Sequence, residues 1–153
     1  MTTLTIRRAR REELEAIVRL HEADDVGGHG DAWTEENRPA YEAAFAAIAE
    51  SPFHDLYVAV EDGEVIGTFQ LVLKPGVTDR GALKALLESV QVRADRRSQG
   101  LGARMVVFAE EEARARGATY FSLVSNKKRL AAHRFYERLG YANSHEGFKK
   151  RLV

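Results

Sequence analysis

An arginine-rich turn between residues 90 and 104 carries the residue types best suited to chemistry. The segment reads VQVRADRRSQGLGAR: an apolar strand ends near Val92, and a helix opens at Gly100 and Gly102. A helix start presents unpaired N–H groups and a positive dipole end, so acidic residues normally gather there. Around this start lie arginines instead, Arg93, Arg96, Arg97 and Arg104. The repulsion between these arginines and the positive end of the helix would be offset by a bound polyanion. Glycine has no side chain, so the backbone at Gly100 and Gly102 can approach phosphate oxygens closely. The segment therefore predicts a phosphate-binding turn.

Two common phosphate motifs are excluded. A P-loop requires GxxxxGK[ST], which the chain lacks. A Rossmann fingerprint requires a third glycine, but Met105 stands there and no βαβ start precedes it. What remains is R-x-x-G-x-G over residues 97–102, which resembles the acyl-CoA pyrophosphate loop of the GNAT N-acetyltransferase family. Taken alone, this segment also fits an ordinary capped helix start with surface arginines.

A second motif strengthens the resemblance. Residues 132–141 read AHRFYERLGY, similar to the family pattern A-x-x-F-Y-E-x-x-G-[FY], at the expected distance downstream. The order of elements also agrees, so the resemblance covers essentially the full chain. Many family members place an asparagine seven residues before the tyrosine. Here that position is Arg129, and the available Asn126 lies ten residues before it, as in a subset of relatives.

The resemblance implies acyl transfer from an acyl-CoA thioester, with acetyl-CoA as cosubstrate, to an amine. The pantetheine arm would lie along residues 88–92, pairing like an extra strand. Backbone N–H groups near Val90 to Val92 would stabilise the oxyanion, a contribution often worth about 3–4 kcal/mol per donor. The implied cofactor-binding residues are Val90, Gln91, Val92, Arg97, Ser98, Gln99, Gly100, Leu101, Gly102, Ala103, Asn126 and Arg129.

Glu88 is the candidate general base, because a lysine-like amine with a pKa near 10.4 must lose a proton before it attacks. We expect Glu88 to share a strand face with Val90 and Val92, and some relatives carry an acid at the matching place. A solvent-facing strand-edge glutamate is the alternative. His133, His145 or an ordered water are substitutes for the base.

Tyr136 resembles the family's general acid, which protonates the departing CoA thiolate. A thiol has a pKa near 8.5 and tyrosine near 10, so donation is uphill by about 1.5 units, or roughly 2 kcal/mol. Tyr136 would therefore mostly hydrogen-bond the sulfur. The alternative is a core aromatic residue, since Tyr136 lies on an apolar helix face with Phe135.

The acceptor site is expected between the first two helices, the loop at 23–33 and the tail. The acidic residues Asp24, Asp25 and Asp31 could attract a cationic amine. The predicted substrate-binding residues are Asp31, Trp33 and His145. Trp33 could instead staple the second helix, and residues 27–30 (GGHG) resemble a hinge. A metal site is not expected, because one histidine and scattered aspartates lack ligand spacing.

The hydrophobic pattern predicts one domain over residues 1–153 of the α/β class, with a mixed α+β sheet. Strands are expected at 3–8, 56–60, 64–73, 84–92 and 119–124, with one or two more at 141–144 and 147–152. Helices are expected at 11–22, around 41–48, at 100–116 and at 129–139. The second helix starts at a Thr34 cap or with Pro39 in its first turn. The resemblance implies a mostly antiparallel sheet of six or seven strands flanked by about four helices.

Composition narrows the class of protein. The 153 residues include no cysteine, which excludes disulfides, a cysteine nucleophile and thiolate metal sites. No apolar run approaches the roughly 20 residues of a membrane span, and the start lacks the apolar core of a secretion signal, so we expect a cytoplasmic protein without a membrane partner.

The net charge is zero, but the charges are unevenly distributed along the chain. Residues 21–64 carry twelve acidic residues and one basic residue, Arg38, while residues 65–153 carry 17 basic and 8 acidic residues. The basic part suits a polyanionic cofactor and the acidic part suits a cationic amine. The alternative is that they are two solvated faces that happen to differ in charge.

The family resemblance implies an acetyl-CoA-dependent N-acetyltransferase, and we expect it to act on the primary amine of a small molecule by direct attack of the amine on the thioester. The alternatives are an acyl-CoA-binding module without turnover and an acetyltransferase acting on protein N-termini or lysines. Nucleic-acid binding is disfavoured, because the arginines occupy one turn without interleaved aromatic residues. A homodimer is expected only because members of the family it resembles often form dimers.

Overall fold

The computed structural model describes residues 2–24, 26 and 28–153. Asp25 of the acidic loop and Gly27 of the glycine segment lie outside the described residues. The regular elements are β1 (Leu4–Arg8), α1 (Leu14–Glu22), α2 (Arg38–Glu50), β2 (His54–Glu61), β3 (Glu64–Lys74), α3 (Thr78–Gly81), β4 (Lys84–Val92), α4 (Leu101–Ala115), β5 (Tyr120–Leu123) and α5 (Leu130–Arg138). No helix within these described ranges is both long enough and apolar enough to cross a membrane.

The five strands form one mixed sheet in the order β1-β2-β3-β4-β5. Neighbouring strands run antiparallel except β4 and β5, which are parallel. A mixed, mostly antiparallel sheet flanked by helices confirms the predicted fold class. The sheet has five described strands, however, where six or seven were expected.

The missing strands are those predicted in the tail. Residues 141–153 have no regular secondary structure, and Phe148 and Leu152 are 94% and 89% exposed. Alternating apolar residues suggest a strand, but a strand also needs a neighbour to pair its backbone groups. The tail has no such ladder, so the prediction of strands at 141–144 and 147–152 is wrong.

One face of the sheet packs on α4. Phe69 of β3 is fully buried and stacks on Tyr57 with ring centroids 5.0 Å apart, and Phe108 of α4 meets Phe69 edge-on at 6.4 Å. Gly67 faces buried Met105, whose Sδ would lie 2.7 Å from a Cβ added to the glycine. The absent side chain at position 67 is therefore what lets α4 approach the sheet closely.

The opposite face of β3 is buried too, through Ile66, Thr68 and Val72. The helices α1 and α2 pack against the sheet, α1 on β3 and β4 and α2 on β2. Because β3 is buried on both faces, it reads as an almost continuous apolar run. The same burial explains why this strand was predictable over nearly its whole length.

The β2–β3 hairpin turns at Asp62-Gly63, a dipeptide typical of two-residue hairpin turns. Glu61 pairs with Glu64, so the connection is a two-residue turn, and both Asp62 (φ 51°) and Gly63 (φ 78°) have positive φ. Two positive values are the requirement of a type I′ turn, whose twist matches that of the flanking strands.

The chain divides into two compact units, residues 1–123 and residues 124–153. The first holds the whole sheet with α1 to α4. The second holds α5 and the tail. The expectation that residues 1–153 form one domain stays a prediction.

Gly67→Val should lower the free energy of unfolding by about 1–3 kcal/mol, because the added methyl groups overpack the contact with Met105. Gly76→Val is the matched control, since a Cβ at position 76 meets no atom within 4 Å. Urea denaturation measures both. Equal stability of the two variants would contradict the close approach of α4.

Candidate active site

A β-bulge interrupts β4 at the centre of the predicted cofactor strand. The register pairs are Gln70 with Glu88, Thr68 with Gln91 and Gly67 with Val92. Between the first two pairs, Phe69 alone lies opposite both Ser89 and Val90, so β4 carries one extra residue. Ser89 has a φ of 54°, which marks the site of the distortion.

The bulge determines which side chains share a face. Thr68 and Gln70 lie two residues apart on β3, so their partners Gln91 and Glu88 point to the same side of the sheet. Val92, paired with Gly67, points to the other side, toward α4. The expectation that Glu88 shares a face with Val92 is therefore wrong, because the extra residue reverses the alternation. Its signal in the sequence is the phase shift from apolar Ala85 and Leu87 to apolar Val90 and Val92.

The C-terminal half of β4 is open on one side. The parallel pairing with β5 covers only Lys84 to Leu87. From Glu88 to Val92, β4 pairs with β3 on one side, and no described strand pairs with it on the other. An extended ligand could therefore add to this edge as a further strand.

The arginine-rich turn is held by ion pairs that the sequence did not reveal. Arg93 donates to Glu64 at 2.9 Å and to Asp95 at 2.7 Å, and Arg96 forms an ion pair with Glu61. These hydrogen bonds raise the pKa of both arginines and lower that of Glu61. Arg93 and Arg96 therefore have acidic partners within the protein and need no bound polyanion, so the expectation from the sequence is wrong for these two arginines. The hairpin places Glu61 and Glu64 side by side next to the turn, and they offset the charge.

The remaining part of the turn is shaped to expose backbone N–H groups. Ser98 and Gly100 have φ values of 60° and 82°, and none of the described side chains caps the start of α4. Arg97 donates through Nε to the carbonyl of Val92 at 3.1 Å, which ties the turn to the end of β4. Arg104 is exposed on the first turn of the helix. These features fit an anion at the start of α4.

The α1–α2 loop is held against α2 by Tyr41. Its hydroxyl donates to Asp31 Oδ1 at 2.8 Å and accepts the Ala32 N–H at 3.2 Å. The Trp33 ring stacks on Tyr41 at 6.0 Å, and the Arg38 guanidinium lies 5.8 Å from the Trp33 centroid. Trp33 therefore packs on the second helix, as the staple interpretation expected, and Asp31 is fixed beside it.

Within the second unit, Asn126 organises the start of α5. Its Oδ1 accepts the N–H of Lys128 at 2.9 Å, and its carbonyl lies 2.9 Å from Nε2 of His133. His145 lies in the irregular tail, with Nδ1 2.7 Å from Ser144 Oγ. These hydrogen bonds give Asn126 and His133 structural roles at the start of α5.

The end of α5 explains the glycine and the last aromatic residue of the second motif. Gly140 has a φ of 94°, its N–H donates to the Glu137 carbonyl at 3.0 Å, and the Tyr141 N–H donates to the Tyr136 carbonyl at 3.1 Å. This pair of bonds is the Schellman motif, which requires the left-handed conformation that glycine adopts freely. It places the Tyr141 ring 6.1 Å from the Tyr136 ring.

Tyr136 is a half-buried phenol. Burial raises its pKa, and the nearby charge of Arg129 opposes that shift only in part. The hydroxyl therefore stays protonated throughout the neutral range and is a hydrogen-bond donor there.

Two further features escaped the sequence analysis. The buried side chain of Gln91 donates through Nε2 to Asp24 Oδ2 at 2.9 Å, which joins the α1–α2 loop to β4. His21 lies near Asp24, Asp31 and His29, and burial lowers its pKa. The Gln91–Asp24 pair could not be predicted from sequence spacing, because the two residues lie 67 positions apart.

Among the described residues, no group of three or more His, Cys, Asp or Glu could hold a metal ion.

Comparisons with known proteins agree with this geometry. The model of the Acetyltransferase (GNAT) family matches residues 9–141. The chain is 37% identical over 113 residues to aminoalkylphosphonate N-acetyltransferase of Salmonella typhimurium, covering 74% of this chain and 73% of that protein. A crystal structure described as a transcriptional regulator from Bacillus halodurans superposes with a TM-score of 0.94 at 33% identity, over 98% of this chain and 100% of that chain. The aminoglycoside N-acetyltransferase AAC(6')-Iy, solved in complex with CoA, shares the fold at 15% identity, with a TM-score of 0.80 over 99% of this chain and 95% of that chain.

The family match and the N-acetyltransferase relative together define an acyltransferase that acts on amines. The chain belongs to the GNAT family of acetyltransferases and is an N-acetyltransferase.

The lowered pKa of His21 should make stability depend on pH. Burial favours the neutral ring in the folded state, so its stabilising contribution is complete above the unfolded pKa of about 6.5 and is lost as the pH falls through the folded pKa. Between about pH 7.5 and pH 5.5, the melting temperature of the wild type should fall more than that of His21→Gln. The other histidines are common to both proteins, so parallel curves would contradict the lowered pKa of His21.

Proposed function

We propose that the protein transfers an acetyl group from acetyl-CoA to the primary amine of a small molecule by direct attack of the amine on the thioester. The observation that carries this proposal is the open edge of β4. On one side of residues 88–92 no described strand pairs with β4. These residues lead directly into the R-x-x-G-x-G turn. An extended arm along that edge would therefore bring its phosphates to the start of α4.

The turn supplies the groups for the phosphates. Gly100 and the following residues offer backbone N–H groups at the positive end of α4, and Arg97 and Arg104 supply charge. Arg93 and Arg96 instead hold the turn in place through their acidic partners. Asn126 and Arg129 of the second unit complete the proposed set, on the family resemblance alone.

The reaction forms one C–N bond and breaks one C–S bond. The free amine attacks the thioester carbonyl, and backbone N–H groups at the bulge, near Val90 to Val92, stabilise the developing oxyanion. The bulge favours this role because its extra residue is left out of the strand ladder. Glu88 takes the proton released by the amine, and the Tyr136 hydroxyl donates a hydrogen bond to the departing sulfur.

The acceptor is proposed to bind beside the α1–α2 loop, with Asp31, Trp33 and His145 as substrate-binding residues. Tyr41 fixes Asp31 and Trp33 in advance of binding, which limits the entropy lost when an acceptor is ordered. The relative from Salmonella typhimurium makes aminoalkylphosphonates the first acceptors to test.

The decisive assay follows thiol release from acetyl-CoA with a panel of amines: an aminoalkylphosphonate, a diamine, an amino sugar and a lysine peptide. We expect release with at least one small amine and acetylation of its nitrogen by mass spectrometry. Binding of CoA without release across the panel would contradict the proposal. Release with the peptide alone would assign the acceptor to proteins.

Tyr136→Phe should lower kcat by about 10- to 1000-fold, because the sulfur loses its hydrogen-bond donor. Tyr141→Phe is the matched control, since it removes a hydroxyl from the neighbouring ring and should keep kcat close to the wild type. Circular dichroism checks that both fold. Wild-type turnover of Tyr136→Phe would remove the proposed role.

Glu88→Gln should lower kcat/KM by about 100-fold or more near neutral pH, because the amide cannot accept the amine proton. The loss should shrink as the pH approaches the pKa of the free amine, where deprotonation needs no base. The same profile for His133→Gln and His145→Gln separates the alternative bases. A pH-independent loss in Glu88→Gln would assign it to positioning.

A further inference from the structure

We propose that Gln91 is a positioning residue whose side chain holds the α1–α2 loop in register with the reacting strand. Its family-implied role concerns its backbone, beside the thioester. The inference rests on the proposed function, because it concerns how that reaction acquires its acceptor site. The proposal adds one specific contact, the hydrogen bond from Gln91 Nε2 to Asp24 Oδ2, which links the α1–α2 loop to β4.

The bulge makes this contact available. In an uninterrupted strand, residues three positions apart point to opposite faces. The extra residue at Ser89 and Val90 places Gln91 on the same face as Glu88 instead. Gln91 is 9% exposed there, opposite fully buried Thr68. A glutamine this buried needs a partner for its amide, and Asp24 provides one.

Asp24 uses both carboxylate oxygens to organise the start of the loop. Oδ1 accepts the Val26 N–H at 3.2 Å, while Oδ2 accepts the Gln91 amide at 2.9 Å. The backbone N–H of Asp24 in turn donates to the His21 carbonyl at 3.1 Å, which continues the end of α1. One carboxylate therefore joins the end of a helix, the first turn of the loop and the reacting strand.

The far end of the same loop is fixed separately. Tyr41 holds Asp31 and Trp33 against α2, and Asn37 donates to the Ala32 carbonyl at 3.1 Å. The loop is thus anchored to α2 at one end and to β4 at the other. Within the described residues, the Gln91 side chain joins the loop to the strand that carries Glu88. It does so by a charge-assisted hydrogen bond, which is stronger than a neutral one.

Breaking this anchor should affect the acceptor and spare the donor. Gln91→Met keeps the length and burial of the side chain and removes the amide. We expect the KM of the best amine in the panel to rise by about tenfold, the effect of losing one hydrogen bond to a charged group. The KM for acetyl-CoA should stay within about twofold, since the backbone of β4 is retained.

Thr68→Val is the matched control. It removes a buried hydrogen bond, from Oγ1 to the Tyr57 carbonyl at 2.8 Å, at the position directly opposite Gln91. It should lower the melting temperature without changing the KM of either substrate. A rise in the KM of the amine as large as that of Gln91→Met would mean that the core in general, not the anchor, sets the loop.

An exchange of donor and acceptor isolates the hydrogen bond. Gln91→Glu sets two carboxylates against each other, so the KM of the amine should rise at least as much as in Gln91→Met. Adding Asp24→Asn restores a hydrogen bond with reversed polarity, and its amide oxygen can still accept the Val26 N–H. The double variant should therefore recover most of the loss. A double variant no better than Gln91→Glu would overturn the proposal.

The Val26 amide gives a readout that needs no turnover, because its N–H donates to the same Asp24 carboxylate that Gln91 holds. Hydrogen exchange at this amide should be faster in Gln91→Met and return toward the wild-type rate in the double variant. Thr68→Val should exchange at the wild-type rate. Unchanged exchange in Gln91→Met, with wild-type turnover present, would overturn the anchor and leave the proposed function intact. Absence of wild-type turnover would overturn the proposed function alone.

Discussion

The extra residue in β4 is the constraint on which the rest of the first unit depends. It sets Glu88 and Gln91 on one face and Val92 on the other. The face with Glu88 receives the α1–α2 loop, and the face with Val92 stays with α4. A single backbone distortion thus separates the side of the strand that meets the α1–α2 loop, where the acceptor is proposed to bind, from the side that packs on α4. Without it, the polar side chain of Gln91 would point toward Met105 in the core.

Ion pairs formed by the fold join the acidic and the basic parts of the chain. The acidic stretch from 21 to 64 and the basic stretch from 65 to 153 suggested two separate fields. The hairpin contradicts part of that division, because Glu61 and Glu64 from the acidic stretch bind Arg96 and Arg93 from the basic one. The turn consequently presents a smaller positive charge than its sequence suggests. If the turn binds a polyanion as proposed, binding would therefore depend more on backbone N–H groups than on the number of arginines.

The sequence predicted what depends on local pattern and missed what depends on long-range contacts. The β4 range 84–92, the Asp62-Gly63 hairpin and the glycine ends of α4 and α5 follow from periodicity and turn chemistry that neighbouring residues determine. The tail strands were wrong because a strand needs a partner as well as a pattern. The bulge left a readable phase shift between Leu87 and Val90, but the bond between Gln91 and Asp24 left none, since it joins distant parts of the chain.

The half-buried phenol of Tyr136 indicates how the proposed reaction would obtain its rate. Burial raises the pKa of Tyr136, so complete proton transfer to a thiolate becomes more unfavourable than for an ordinary tyrosine. The same burial strengthens a hydrogen bond from the neutral hydroxyl, because less water competes for it. A thiolate leaves readily enough that such a bond suffices. Acid strength is then a minor factor, and most of the acceleration must come from holding the amine against the thioester. Residues that fix the loop and the strand relative to each other would therefore matter as much as those that exchange protons.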